Sequence, residues 1–295
     1  MKKIISFLSF VFSLVILFSC EPGRDENGDL LFGVNQNPET GGGTTGVSKL
    51  LKKMTATDKE GNMSIFIYNY ENGLLKSVNI NENEDQRDLD LTYDKDKIST
   101  MLMTETDGSN IITTTTDLIY DNNNKLINTT GKMESGGVEI SKNKTTFTYN
   151  GTVLQKIDTS IQQKDPENPD TYVDAFKQVS DILFQGNNIA SWKMTMTTIS
   201  TLPVGIPPIV LDVKFSNYDT AKNPLATLPW EFNIAAAHLL SGTNSIQGLS
   251  VNNYRTASTT AGGTSQDVTY VYEYDKDGYP KSATSTQGTL TYEYQ

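Results

Sequence analysis

From residue 48 to residue 295 one pattern recurs, and it restricts the fold more than any other feature. An alternating segment ends on an aromatic residue, a turn of Asn, Asp and Gly follows, and a second segment opens on an aliphatic residue. Residues 64–70 lead through Glu71-Asn72-Gly73 to Leu74-Leu75, and residues 88–93 lead through Asp94-Lys95-Asp96-Lys97 to Ile98. Residues 117–120, 145–149, 181–184 and 268–274 repeat the arrangement, with turns at 121–125, 150–151, 186–188 and 275–278, and residues 289–294 form a last alternating segment. Asn-Gly and Asp-Gly supply the positive φ angles of primed turns, whose twist matches that of paired strands, so each unit reads as one hairpin.

Within each first strand the apolar and aromatic residues fall on one parity: Phe66, Tyr68 and Tyr70; Leu89, Leu91 and Tyr93; Leu211, Val213 and Phe215; Tyr270, Tyr272 and Tyr274; Leu290, Tyr292 and Tyr294. Asn69, Asp88, Asp90, Asp212, Lys214, Thr269 and Glu273 occupy the other. One face is therefore apolar and the other wet, as in an antiparallel sheet that covers its core on one side. The expected fold is all-β, a meander of antiparallel hairpins forming one large curved sheet or a barrel-like structure. The stretch 216–256 breaks the rhythm. Pro203, Pro207, Pro208, Pro224 and Pro229 exclude central strands around them. Residues 230–240, followed by Ser241-Gly242, read as one short helix near 230–241 with Trp230, Ile234 and Leu239 on its apolar side.

The N-terminus carries a different signal. Lys2 and Lys3 precede an apolar run from Ile4 to Phe18 that closes on Leu17-Phe18-Ser19-Cys20. Such a run is short for a membrane span, which needs about 20 residues, and reads as a signal peptide over 1–19. The Leu-x-small-Cys ending resembles a bacterial lipobox, which implies lipidation of Cys20 and attachment to a membrane through that anchor. Cleavage removes two lysines and no acid, so the net charge of -11 becomes -11 - 2 = -13. Glu21, Asp25, Glu26 and Asp29 resemble the acidic stretch that routes Bacteroidota lipoproteins to the outer face of the outer membrane. Residues 20–47, rich in Gly, Asn and Pro, read as a flexible tether with a reach on the order of 30 Å. Residues 48–295 read as a single hairpin-repeat domain.

Tyr68 to Leu75 and Tyr272 to Pro280 resemble the tyrosine-aspartate repeat of Rhs-type and teneurin shells. The lipobox, the hairpin ladder, Phe215 to Leu225 with its Tyr-Asp and Asn-Pro pairs, Leu249 to Tyr254 and the closing Tyr-x-Tyr-Asp hairpin are similar to a Bacteroidota outer-membrane lipoprotein family described as having a porin-like fold. The resemblance implies that fold and carries no catalytic assignment.

The residues that bear chemistry are few. With one Cys and one His the chain has neither an intrachain disulfide framework nor a pair of imidazole ligands. Its 35 acidic against 24 basic side chains, with no basic cluster in sequence, argue against nucleic acid. His238, on the expected helix, reads as a packing or capping residue, since no Gly-x-Ser-x-Gly elbow accompanies it. Asp94 with Asp96, and Asp275 with Asp277, invite a calcium reading but lack the further oxygens of an EF-hand loop and read as turns. Glu82, Glu84, Asp85, Asp88 and Asp90 read as a solvated loop entering a strand. Trp192 and Trp230 are the candidate ligand-stacking residues, with burial in the core as the competing reading. No metal site and no cofactor are expected. The leading functional expectation is a non-catalytic, envelope-anchored β-protein that is structural or binds a glycan or protein. The alternatives are a glycan hydrolase with paired carboxylates in the concave face and a carrier of an apolar molecule. An integral porin is disfavoured, because the second strands lack an apolar lipid face.

Overall fold

A computed structural model describes residues 49–82, 85–107, 110–165, 167–199, 207–236 and 246–295. The all-β expectation holds: seventeen strands belong to one antiparallel meander sheet. They are β1 (Leu51–Asp58), β2 (Met63–Glu71), β3 (Leu74–Glu82), β4 (Asp85–Asp94), β5 (Lys97–Asp107), β6 (Asn110–Tyr120), β7 (Leu126–Ser135), β8 (Val138–Asn150), β9 (Val153–Lys164), β10 (Tyr172–Gln185), β11 (Asn188–Thr198), β12 (Ile209–Ser216), β13 (Thr256–Ala261), β14 (Thr264–Thr269), β15 (Val271–Tyr274), β16 (Pro280–Ser285) and β17 (Gly288–Tyr294). The chain groups into two compact units. One comprises the described residues within 63–182 and 192–212; the other comprises those up to Asn62 and within 183–191 and 213–295.

In the first unit each strand from β2 to β9 pairs antiparallel with the next, and β9 pairs with β10. The turns have the expected chemistry: Asn72 has φ 51° and Gly73 φ 81°, the left-handed pair a primed turn requires. One-sided burial follows the parity. Leu89 and Leu91 of β4 are buried while Asp90 and Thr92 between and beyond them face out. Each such aliphatic side chain contributes about 1.5–3 kcal/mol on full burial.

Simple alternation fails just after the turns that follow Tyr70, Tyr93, Tyr120 and Tyr149, and the failure repeats. Asn69 pairs with Ser77 but Tyr70 with Leu75, leaving Lys76 as an extra residue in the return strand. Ser99, Ile127 and Gln155 are extra in the same way opposite Tyr93, Tyr120 and Tyr149. These bulges put Leu75 on the same face as Val78, and Ile98 on the same face as Met101, across an odd spacing that a regular strand would split between faces. A bulge also frees a carbonyl from the ladder, and the next hairpin takes it up. Tyr93 donates its hydroxyl to Leu75 O (2.8 Å), Tyr120 to Ile98 O (2.8 Å) and Tyr149 to Leu126 O (2.7 Å). Phe184, without a hydroxyl, occupies the next position of the series in sequence. Lys97 and Lys125 lie over the Tyr120 and Tyr149 rings, 5.9 and 4.9 Å from the centroids.

The buried face of β6–β9 departs from the apolar expectation. Thr114, Thr116, Thr129, Thr145 and Thr159 occupy its inward parity and are almost wholly buried. Their methyl groups pack, but only the Thr145–Thr159 hydroxyl pair, 2.9 Å apart, is joined; the hydroxyls of Thr114, Thr116 and Thr129 have no partner among the described residues. Nearby, Arg87 is buried against Glu82. Burial raises the Glu82 carboxyl above its ordinary pKa, and the Arg87 guanidinium opposes that shift.

In the second unit β13–β14 and β15–β16–β17 are hairpins, and β1 closes against β17, Leu51 opposite Tyr294. The β15–β16 turn repeats the bulge, with Lys281 extra opposite Tyr274, and Tyr294 donates to Pro280 O at 2.8 Å. Tyr254 packs between Phe215 (4.9 Å) and Tyr270 (5.6 Å) in an aromatic cluster that reaches Tyr272 and Tyr274. Desolvation raises the Tyr254, Tyr270 and Tyr272 hydroxyls well above their ordinary pKa.

The irregular stretch of this unit is held by buried amides. Asn223 donates to Gln247 O (2.7 Å) and Ser250 O (2.8 Å) and accepts from Leu225 N, capping a 3-10 turn, Pro224–Thr227. The expected helix is present as α1 (Trp230–Ala235), and the remainder of 230–241 beyond residue 236 lies outside the described residues. It buries Phe232, Asn233, Ile234 and Ala235, so Trp230 stands at its edge instead of on its packed side. Asn233 donates to Leu225 O and Gly248 O.

Candidate functional site

Cys20, the tether and His238 lie outside the described residues. The two candidate tryptophans belong to different units. Trp192, on β11, is 3% exposed and is a core side chain; Trp230, the first residue of α1, is 36% exposed. Burial of Trp192 follows from the inward parity it shares with Met194.

The acidic turn at 275–278 is occupied by the protein's own donors. Asp275 Oδ1 accepts from the backbone N–H groups of Asp277 and Tyr279 (2.9 Å each), and Lys49 Nζ reaches Asp275 (2.6 Å) and Asp277 (2.7 Å). Burial works to raise the Asp275 carboxyl; the Lys49 ammonium and the two N–H groups outweigh it and hold the pKa below the ordinary value. The chain is thus clamped to the β15–β16 turn where it begins its first strand. Among the described residues no three His, Cys, Asp or Glu side chains converge as metal ligands would. Of the acidic stretch, Glu82 is the buried partner of Arg87, Asp85 and Asp90 are exposed, Asp88 accepts from Asn79 (2.7 Å), and Glu84 lies outside the described residues.

A hollow of about 370 Å³ lies on the exposed face of β6–β9. The register builds it. Thr115, Lys132, Lys142 and Gln162 stand side by side across four strands, and Asp117, Thr130, Lys144 and Ser160 form the adjacent row. Short hydroxyl side chains lie beside long ammonium stems, which makes a depression in an otherwise flat face. Lys132 pairs with Glu134 (2.8 Å) and Lys142 with Glu139 (3.3 Å). Tyr172 donates to Glu139 and places its ring 4.2 Å from the Lys142 ammonium. That hydrogen bond is the main cause holding Glu139 below its ordinary pKa and raising Tyr172 to about 12. A glycosidase acid needs the opposite shift, since it must stay protonated to donate. Asp117 accepts from Thr100 Oγ1 (3.0 Å). Composition alone could not reveal the hollow, because its lysines are separated by 10 and 2 positions in sequence and meet only through β7–β8 register.

Among the described residues no helix is long and apolar enough to cross a membrane, which says nothing about strands. The exposed face of β4–β9 carries Asp88, Asp90, Asp117, Lys132, Lys142, Lys144 and Asp158 along the strand bodies.

No protein-family model matches the chain, and no curated protein matches it. Among solved structures it is similar to a porin-like protein from Bacteroides vulgatus ATCC 8482, with a TM-score of 0.47 and 12% identity over 84% of this chain and 99% of that one. It is also similar to a porin-like protein from Bacteroides uniformis ATCC 8492, with a TM-score of 0.43 and 12% identity over 83% of this chain and 96% of that one.

Proposed function

We propose that this chain is an outer-membrane lipoprotein, anchored through Cys20, whose β-domain from residue 48 onward works in water as a non-catalytic binding protein on the cell surface. The observation that carries the aqueous part of this reading is the charged exposed face of β4–β9. A strand that crosses a bilayer keeps an apolar outward band about 25 Å tall, and an Arg or Lys at its midplane costs about 2–4 kcal/mol. Lys132, Lys142, Lys144 and Asp117 stand in the middle of their strands, on the outward parity. Anchoring is supported by the lipobox-like Leu17-Phe18-Ser19-Cys20 and by the acidic residues that follow it. Membership of the Bacteroidota porin-like lipoprotein family, with hairpins of tyrosine-aspartate type, is supported by the Tyr272 to Pro280 turn and the bulge that recurs opposite each turn-proximal tyrosine.

The test is metabolic labelling with an alkyne fatty acid. The wild-type chain is expected to label and to fractionate with outer membranes, and Cys20→Ser to do neither. Protease added to intact cells is expected to cleave the anchored domain. Equal labelling of both chains refutes the anchor, and full protection from protease refutes surface display.

A further inference from the structure

The hollow on the exposed face of β6–β9 has features that a merely solvated sheet face does not need. Lys132 stands directly opposite Lys142, and Lys144 stands opposite Thr130, two residue pairs along, with Gly131 opposite Asn143 between them. Like charges set across a strand pair destabilise it. Glu134 and Glu139 relieve Lys132 and Lys142 from one side, and Lys144 has no hydrogen-bond or ion-pair partner among the described residues. In a chain of net charge -11, three ammonium groups meet here on two neighbouring strands. The carboxylates of Asp117 and Glu139 line the same hollow, and Glu134 pairs with Lys132 beside it.

We propose that this hollow binds a saccharide that carries an acidic group, carboxylate or sulfate. The anion settles among Lys132, Lys142 and Lys144, which relieves the cross-strand repulsion. The hydroxyls of Thr115, Thr130 and Ser160, which make no side-chain hydrogen bond among the described residues, are free to donate to and accept from the sugar hydroxyls. The volume of about 370 Å³ lies within the range of small-molecule sites. Of the two acids in the lining, Asp117 accepts from Thr100, and Glu139 accepts from Tyr172 and pairs with Lys142, which leaves Lys144 as the ammonium without a carboxylate partner among the described residues. The proposal rests on the non-catalytic binding reading and gives it a site and a ligand class.

The purified full-length chain is titrated with tri-galacturonate, with galactose 6-sulfate, with maltotriose as the neutral sugar, and with inorganic sulfate, each at low and at physiological salt. At least one of the two acidic sugars is expected to bind, with an affinity that falls as salt rises. Maltotriose and inorganic sulfate are expected to bind at least tenfold more weakly. The triple variant Lys132→Gln, Lys142→Gln, Lys144→Gln is expected to lose at least tenfold in affinity with an unchanged circular-dichroism spectrum. Lys156→Gln, on the same face outside the hollow, is expected to bind as wild type. Failure of both acidic sugars to bind, equal binding of maltotriose, equal binding of inorganic sulfate, or undiminished binding by the triple variant each overturns the proposal. A chain that still labels at Cys20 and binds neither sugar overturns this site and leaves the anchoring reading standing.

Discussion

The tyrosine hydroxyls that take up bulge carbonyls offer the sharpest test of how this sheet holds its hairpins together. Substituting Tyr93 and Tyr149 by Phe removes two oxygens and almost no volume. Each loses one hydrogen bond, of 2.8 Å to Leu75 O and 2.7 Å to Leu126 O. A typical intramolecular hydrogen bond contributes about 0.5–1.5 kcal/mol net, and a buried carbonyl left unsatisfied costs about 1–3 kcal/mol. Both sites are partly buried, so about 1–2 kcal/mol each is expected. The tyrosines stand on β4 and β8, four strand spacings of about 4.8 Å apart along the sheet, so their effects should add to about 2–4 kcal/mol. Urea denaturation of the single and double variants measures this directly, with an unchanged m-value establishing that the denatured state is the same. A double variant within 0.5 kcal/mol of wild type would refute the reasoning, because it would mean that water satisfies the bulge carbonyls as well as tyrosine does. Clear non-additivity would instead mean that the bulges are mechanically coupled.

Other outcomes follow from the same geometry. A Cβ at Gly248 would lie 2.5–2.7 Å from the buried Asn233 carboxamide, so Gly248→Ala should destabilise by about 1–3 kcal/mol, read from the urea midpoint. Asn223→Ala removes three hydrogen bonds and should cost about 3 kcal/mol, with greater protease sensitivity near residues 217–255. Glu82→Ala removes one ion-pair partner of the buried Arg87 and should destabilise by about 1–3 kcal/mol, measured by thermal unfolding. Desolvation raises the folded-state pKa of Tyr254 and Tyr270, so the protonated fold is favoured. Stability is therefore complete below pH 10 and falls above it, by about 1.4 kcal/mol per pH unit for each tyrosine that ionises only on unfolding. Denaturation at pH 9 and pH 11 checks the sign, and a gain of stability at the higher pH contradicts it.

The residues themselves determined the hairpins. A two-residue period with Asn-Gly and Asp-Gly turns has one low-energy solution for a chain with one apolar parity, and Leu89, Leu91, Phe66 and Tyr68 are buried as that period requires. The bulges were also written there, in the three-residue spacing from Leu75 to Val78, Ile98 to Met101 and Leu154 to Ile157, although strict alternation hides it. The tertiary structure alone decided which carbonyl each tyrosine would meet, because that partner lies a hairpin away, 18 to 23 positions back. It alone placed Lys132 against Lys142, paired Leu51 with Tyr294, and turned Trp230 out to the edge of a helix that buries Phe232 and Ile234. Period and turn chemistry are properties of a few adjacent residues, whereas register and burial arise only when strands distant in the chain compete for the same neighbours.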